Sequence, residues 1–429
     1  MSLISPILSD TQLDAFSRIE NDNANILILG QAGTGKSTFV NYLKSASKKK
    51  IITACPTAVS ALNIGGQTIH SLFQIQPRDF IMPELLKLKS KPRNVLSGAD
   101  ILIIDEISMV APDLLDAMDI LARAARKNNA PFGGLQVVAI GDLHQLPPVI
   151  TREAEQYHQQ FYGHPNAYFF DSVVWGRGNF DKLNFDVVYR QSDAELLEKL
   201  TALRGGDESA LEFFNRLQIT DADRLANAVI ITPFRAIAEN INNSRLGKIN
   251  APEVLYRGML NGNFSEKDTP SPLELILKVG ALVMFTRTVR ESGAECFNGA
   301  LGIVQELGQR EITVKLLGGK QAVVRVKPEK WDKIEYGRDA DDKITETETG
   351  SFTQFPLQLG WAMTIHKAQG KTLDAVNIDI SRGAFAHGQT YVALSRTRCA
   401  ADIHIASPLR PRDIIFDERV LQFVADFRG

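Results

Sequence analysis

Three stretches of this chain carry residues that could do chemistry together. Residues 30–37 read Gly-Gln-Ala-Gly-Thr-Gly-Lys-Ser, the full G-x-x-x-x-G-K-[ST] pattern of a phosphate-binding loop. Gly30, Gly33 and Gly35 let the backbone turn tightly and aim N–H groups at phosphate oxygens. Lys36 can reach the outer phosphates, and the hydroxyl of Ser37 can ligate Mg²⁺. Residues 101–106 read Ile-Leu-Ile-Ile-Asp-Glu, an apolar run ending in two carboxylates. There Asp105 can hold the Mg²⁺ shell, directly or through water, and Glu106 can orient and polarise an attacking water. Residues 391–398, Tyr-Val-Ala-Leu-Ser-Arg-Thr-Arg, bring arginines from the far end of the chain. The plain alternatives are a chance glycine-rich turn and a solvated acidic turn. Strand, loop and helix in the right order, and a second buried-type strand ending in Asp-Glu, weigh against both. Kinases, GTPases, transporters and motors all use such a loop. Joined to a remote arginine in a second lobe, it suggests a machine that closes around ATP.

The elements that must position these residues are legible as an alternation. Residues 24–29 read as a buried strand and 36–45 as a helix, whose N-terminus adds its dipole to the anion site. Runs 51–55, 101–105 and 136–141 read as further buried strands, with helices over 57–64 and 113–128, which implies a parallel sheet with crossover helices. Residues 74–97 are polar and basic and read as a small insertion rather than core. A second alternation follows: strand 226–232, helices 234–246 and 357–369, strands 375–380 and 403–406. Runs 280–286, 302–307, 312–317 and 322–326, separated by glycine turns, suggest a small inserted β-barrel, with Asp339 to Asp342 a solvated tip. The expected fold class is α/β with two lobes. The expected division is 1–73 with 98–185 as the first lobe, 74–97 as its insert, 186–269 with 353–429 as the second lobe, and 270–352 as the barrel.

Composition bounds the function loosely. A chain of 429 residues is too long for one core, and 44% hydrophobic with 23% charged residues is ordinary for a soluble protein. A formal net charge of −2 does not advertise nucleic-acid binding, although a basic groove can sit on a neutral protein. Clusters Lys44, Lys48, Lys49, Lys50 and Lys87, Lys89, Lys91, Arg93 are, taken alone, solvated faces. Three scattered cysteines, Cys55, Cys296 and Cys399, show neither disulfide nor zinc spacing and fit a reducing compartment. No apolar run is long enough to span a membrane, and residues 1–10 lack the build of a secretory signal, so a cytoplasmic protein is expected.

Longer stretches resemble a known family. Residues 116–149, with Pro131-Phe132-Gly133-Gly134 and Gly141-Asp142-Leu143-His144-Gln145-Leu146-Pro147-Pro148-Val149, resemble the petite-integration-frequency (PIF) DNA helicases of superfamily one, B type; the last run is similar to helicase motif III. Leu8 to Gln12 resembles the segment whose glutamine reads adenine. Residues 54–58 with 65–70 resemble the first DNA-contacting motif, and Tyr189-Arg190-Gln191 resembles motif IV. Residues 359–370 resemble motif V and residues 388–396 motif VI. Ala58 stands where the family usually has glycine, and Gly360 where alanine is usual.

The resemblance implies two RecA-like lobes with ATP between them, a wedge-like insert at 74–97 and a barrel like a Src-homology-three domain at 270–352. It implies that Gln12 reads adenine and that Gly33, Thr34, Gly35, Lys36, Ser37, Thr38 and Gly370 hold the nucleotide, with Ser37 and Asp105 on Mg²⁺. Glu106 would activate water, Gln145 would sense the terminal phosphate, and Arg190 and Arg396 would reach the γ-phosphate from the second lobe. Arginines so placed can contribute a thousandfold or more, about 4 kcal/mol. Pro56, Thr57 and His70 in the first lobe, and Thr364, His366 and Lys367 in the second, would touch DNA. Phe73 and Trp361 are read as core. The implied activity is DNA-stimulated ATP hydrolysis driving 5′-to-3′ movement on single-stranded DNA by a monomer. Its implied partners are forked or tailed duplexes, RNA–DNA hybrids and G-quadruplexes. The alternatives are a RecD-type or conjugative helicase, a P-loop kinase or GTPase, and a DNA-binding module that ATP merely switches.

Overall fold

Six parallel strands organise the first lobe of this computed structural model, which describes residues 8–76, 80–291, 294–317, 322–339, 341 and 343–428. The first seven residues of the N-terminal segment, and positions 340 and 342 of the expected tip, lie outside the described residues. The strands are β1 (Asn25–Gly30), β2 (Ile51–Cys55), β3 (Gln67–Thr68), β4 (Ile101–Asp105), β5 (Gln136–Gly141) and β6 (Phe180–Phe185), in the order β3-β2-β4-β5-β1-β6. Helices cover both faces of a parallel sheet, so its central strands read as unbroken apolar runs; β4 and β5 are buried along their whole length. Parallel pairing sets Leu29 beside Gly141 and Asp105 beside Ile140, so the loop after β1 and the carboxylates after β4 share the carboxyl edge of the sheet.

A second parallel sheet has the order Ala362–Thr364, Val229–Thr232, Val376–Ile378, Ile403–Ile405. Between its strands, the region expected to form a barrel is hydrogen-bonded as antiparallel sheets. One holds five strands, Val323–Val326, Ile312–Leu316, Leu301–Leu307, Leu282–Phe285 and Leu357–Leu359. Another holds Glu329–Arg338, Ile344–Gln354 and Met259–Gly262, so antiparallel pairing begins before residue 270 and ends after 352. The long hairpin Glu329–Arg338/Ile344–Gln354 docks on the first lobe. There the buried Tyr336 hydroxyl accepts the N–H of Thr53 at 3.2 Å, and Tyr336 N donates to Gln67 Oε1 at 3.1 Å. The chain also ends on the first lobe: in the helix Glu418–Arg428, Phe423 stacks on Phe170 at 4.5 Å.

Three expectations need correction. Residues 357–369 are not one helix but the strands Leu357–Leu359 and Ala362–Thr364 followed by the short helix Ile365–Ala368. Leu357, Leu359, Trp361 and Met363 recur every second residue, a strand period masked by good helix-forming types. Residues 226–227 close the helix Ala222–Asn227, and the strand begins only at Val229. The second half of 74–97 is the helix Ser90–Gly98, whose Val95 and Leu96 are buried in the first lobe's core beneath a basic surface. Phe73 and Trp361 are buried, as expected.

Candidate nucleotide site and DNA-facing surface

The sharp turn after β1 is possible because Gly33 and Gly35 adopt φ of +87° and +78°. Crowding forbids a side chain there as well. A Cβ on Gly33 would lie 2.4 Å from Cβ of Arg190, and one on Gly35 would lie 3.0 Å from Nε2 of Gln12. Gly35 caps the helix Lys36–Ala46, whose first turn therefore points at the loop. Lys36 Nζ donates to the carbonyls of Gly30 at 2.7 Å and Gln31 at 2.9 Å. Burial lowers its pKa, while Asp142, Glu106 and Asp105 pull the other way. Gln12 is held by the capping box of the first helix: its Oε1 accepts from Ser9 N at 3.0 Å and its Nε2 donates to Thr34 O at 3.2 Å.

A cavity of about 610 Å³ opens over this loop. Residues 33–38, Glu106 and Gln145 line it from the first lobe, and Arg190, Gly370 and Arg396 from the second. The two arginines stand differently. Arg190 Nη2 donates to Gly370 O at 3.4 Å, while its buried Nη1 has no hydrogen-bond partner among the described residues. Arg396 is fully buried and committed. Its Nε donates to Val392 O at 2.6 Å, Nη1 to Ala368 O at 3.2 Å and Nη2 to Ser395 Oγ at 2.5 Å. Burial, with Arg190 nearby, lowers Arg396 to about 9.

Asp105 and Glu106 follow from the end of β4, where Glu106 takes φ +54° and turns into the cavity. Burial, and then the neighbouring Asp105, push Glu106 up to about 7; burial also raises Asp105. Ser37 and Asp105 are hard oxygen donors, the right chemistry for Mg²⁺, which keeps much of its water and takes one or two protein oxygens beside phosphates.

Motif reasoning missed several groups here. Gln369 Nε2 donates to Glu106 Oε2 at 3.3 Å. Tyr189 N donates to Gly33 O at 2.8 Å, and Arg398 lines the cavity. Asp142 accepts from Gln145 Nε2 at 3.0 Å and pairs with Arg204 at 3.0 Å. Burial would raise Asp142, but Arg204 and Lys36 outweigh it and hold the carboxyl at about 2. Asp142 and Gln369 lie inside quoted motifs, whereas nothing in the sequence marks Arg204 as their partner.

One cavity walled by a phosphate-binding loop from one parallel sheet and by arginines from another is the geometry expected of a two-lobed motor. The PIF1-like helicase family matches residues 7–202. The ATP-dependent DNA helicase Pif1 of Bdellovibrio bacteriovorus is 31% identical over 434 residues, covering 98% of this chain and 92% of that protein. The chain belongs to the PIF1-like helicase family. Human ATP-dependent DNA helicase PIF1 is 33% identical across 99% of this chain, which spans 64% of that longer protein. The crystal structure of Bacteroides sp Pif1 in complex with ADP-AlF4 superposes with a TM-score of 0.89 at 34% identity, covering 99% of this chain and 97% of that one. The Bacteroides Pif1 structure bound to ssDNA gives 0.70.

In this PIF1-like chain the residues expected to meet DNA stand in two groups, one on each lobe. Pro56 and Thr57 follow the carboxyl end of β2, and Thr57 caps the helix Ala58–Ile64. His70 lies on the short helix Ile69–Phe73. On the second lobe Thr364 caps Ile365–Ala368, which carries His366 and Lys367. Burial lowers His70 and His366, so both are neutral near pH 7 and can offer N–H donors rather than cations. Burial, and then Arg235, lower Lys367 as well. Thr364 and Lys367 line a cleft of about 400 Å³ with Arg235 and Asn242. Among the described residues no helix is long and apolar enough to cross a membrane.

Proposed function

We propose that this chain is an ATP-dependent DNA helicase that moves 5′ to 3′ on single-stranded DNA and opens forked or tailed duplexes, RNA–DNA hybrids and G-quadruplexes. The observation that carries the reading is the shared cavity, to which the first lobe brings Lys36, Ser37, Glu106 and Gln145 and the second Arg190 and Arg396. Membership of the PIF1-like family supports it, as do the Bacteroides Pif1 structures with ADP-AlF4 and with ssDNA.

In this reading Gln12 reads adenine and Gly33, Thr34, Gly35, Thr38 and Gly370 wrap the phosphates. Lys36 neutralises the outer phosphates. Ser37 and Asp105 hold Mg²⁺, which supplies charge neutralisation on the phosphate oxygens. Glu106, raised to about 7, takes the proton of the attacking water. Gln145 senses the terminal phosphate. Arg190 is the readier finger, because its buried Nη1 lacks a partner among the described residues, whereas Arg396 must exchange carbonyl partners to reach an oxygen. ATP draws the lobes together, and hydrolysis lets them part. The grips at Pro56, Thr57 and His70 and at Thr364, His366 and Lys367 then exchange, and the strand advances. Within the expected insert 74–97, the part ahead of the buried helix Ser90–Gly98 is assigned as accessory wedge, the antiparallel region around 270–352 as the barrel, and the motor as a cytoplasmic monomer. A RecD-type or conjugative helicase remains the second reading, which the Pro131–Gly134 signature disfavours.

The test is ATP hydrolysis with and without single-stranded DNA, followed by strand displacement on 5′- and 3′-tailed duplexes. DNA-stimulated turnover with displacement of only the 5′-tailed substrate supports the reading. Hydrolysis indifferent to DNA removes it.

A further inference from the structure

The second lobe also reaches the phosphate-binding loop through a residue that no motif carries. Arg204 ends the helix Ala194–Arg204, whose Leu196, Leu200 and Leu203 pack into the second lobe's core. Its Nη2 lies 3.0 Å from Oδ1 of Asp142, on the first lobe just past β5, where the Asp142 side chain is fully buried. Its Nη1 donates to Gln31 Oε1 at 3.4 Å, inside the phosphate-binding loop. The other carboxylate oxygen of Asp142 accepts from Gln145 Nε2 at 3.0 Å and from the Tyr391 hydroxyl at 3.4 Å. That hydroxyl in turn accepts the N–H of Ala32, in the loop, at 3.3 Å. Arg204 lies over the ring of Tyr391, 5.6 Å from its centroid.

A second observation points the same way. A Cβ on Gly388, which leads into the helix bearing Tyr391, would lie 2.3 Å from His144 O and 2.6 Å from Gln145 O. The second lobe therefore grips the Gln145 segment from its backbone side and from its side-chain side. A carboxylate buried as deeply as Asp142 needs a paired cation. Apart from Arg204, the cation acting most strongly on it is Lys36. With Arg204 in place, Asp142 has its cation without drawing on Lys36, whose ammonium is held by the loop carbonyls of Gly30 and Gln31.

We propose that Arg204 is a positioning residue: its ion pair with Asp142 orients the Gln145 amide and the backbone at Ala32, so that the seating of the second lobe is transmitted to both phosphate-facing groups. The proposal rests on the reading of the cavity as an ATP site.

The test compares the full chain with R204K, R204Q, D142N and R204Q/D142N. It measures kcat and KM for ATP at saturating single-stranded DNA, and hydrogen exchange over residues 31–36 and 142–146. In R204Q we expect kcat to fall about tenfold, a usual size for coupling between sites, with KM changed by less than about threefold. R204K retains most of the lost turnover, and the double variant is no worse than R204Q. Exchange rises in both segments of R204Q and stays level elsewhere. Wild-type turnover in R204Q, or R204K no better than R204Q, overturns the proposal; so does unchanged exchange in both segments. A wild-type protein that does not hydrolyse ATP removes the ATP-site reading instead. The exchange data then still decide whether Arg204 holds the two segments.

Discussion

Gln369 and Glu106 meet across the two lobes: the Gln369 amide donates to the Glu106 carboxylate at 3.3 Å. Gln369 follows directly on the helix that carries His366 and Lys367, so one short segment both carries a proposed DNA grip and touches the proposed water-activating group. Loss of this donor removes a hydrogen bond to the charged form of Glu106 and raises its pKa further. Gln369→Ala is expected to lower DNA-stimulated turnover about threefold to tenfold, as for a bond worth ~1 kcal/mol. Unstimulated hydrolysis should change less, and comparing the two rates checks it.

The raised Glu106 sets a pH dependence. A base must be ionised to take a proton, so turnover should climb as pH rises through about 7. A carboxyl raised on folding helps stability at low pH and loses that help as pH rises. Glu106→Gln should therefore gain thermal stability over the wild type from about pH 4.5 upward, levelling off above about 7, while losing turnover and keeping nucleotide binding. Melting curves at pH 5 and pH 8 give the comparison; an equal difference at both would contradict it.

Arg190 and Arg396 should separate by readout. Arg190→Ala removes a guanidinium with one uncommitted nitrogen and should cost about a thousandfold in kcat with little loss of stability. Arg396→Ala also removes a fully buried guanidinium held by the carbonyls of Val392 and Ala368 and leaves a cavity in its place. It should lose both turnover and melting temperature. Equal stability losses in the two variants would count against the distinction.

The docked hairpin makes a separate prediction. Tyr336→Phe leaves the buried N–H of Thr53 without its acceptor, at a cost of about 1–3 kcal/mol. Hydrogen exchange at Thr53 and along Glu329–Arg338 should quicken accordingly, with the first lobe's central strands unchanged.

Local chemistry was legible in the sequence and long-range partnership was not. The loop after β1 and the Asp-Glu at the end of β4 announce themselves because each is a short motif closing a largely apolar strand. The error at 357–369 came from helix-forming residue types laid on a strand period. Gly360, which departs from the family's usual alanine, also has a structural reason. A Cβ there would lie 3.0 Å from the backbone of Val283 and 3.1 Å from Leu301. Arg204 meets Asp142 only because two lobes fold against each other, and spacing along a chain carries no such information. The apolar stripe of Ser90–Gly98 is hidden by Lys91, Pro92 and Arg93.

In the proposed function one ATP site, closed by two lobes, answers to DNA. The most direct test measures ATP hydrolysis by the wild type and by Lys36→Ala, each with and without single-stranded DNA. Strong stimulation by DNA is expected in the wild type and at least about a hundredfold loss in the variant, with DNA giving no recovery. Wild-type hydrolysis that ignores DNA, or a Lys36→Ala variant that still responds to it, would rule out a DNA-driven motor built on this site.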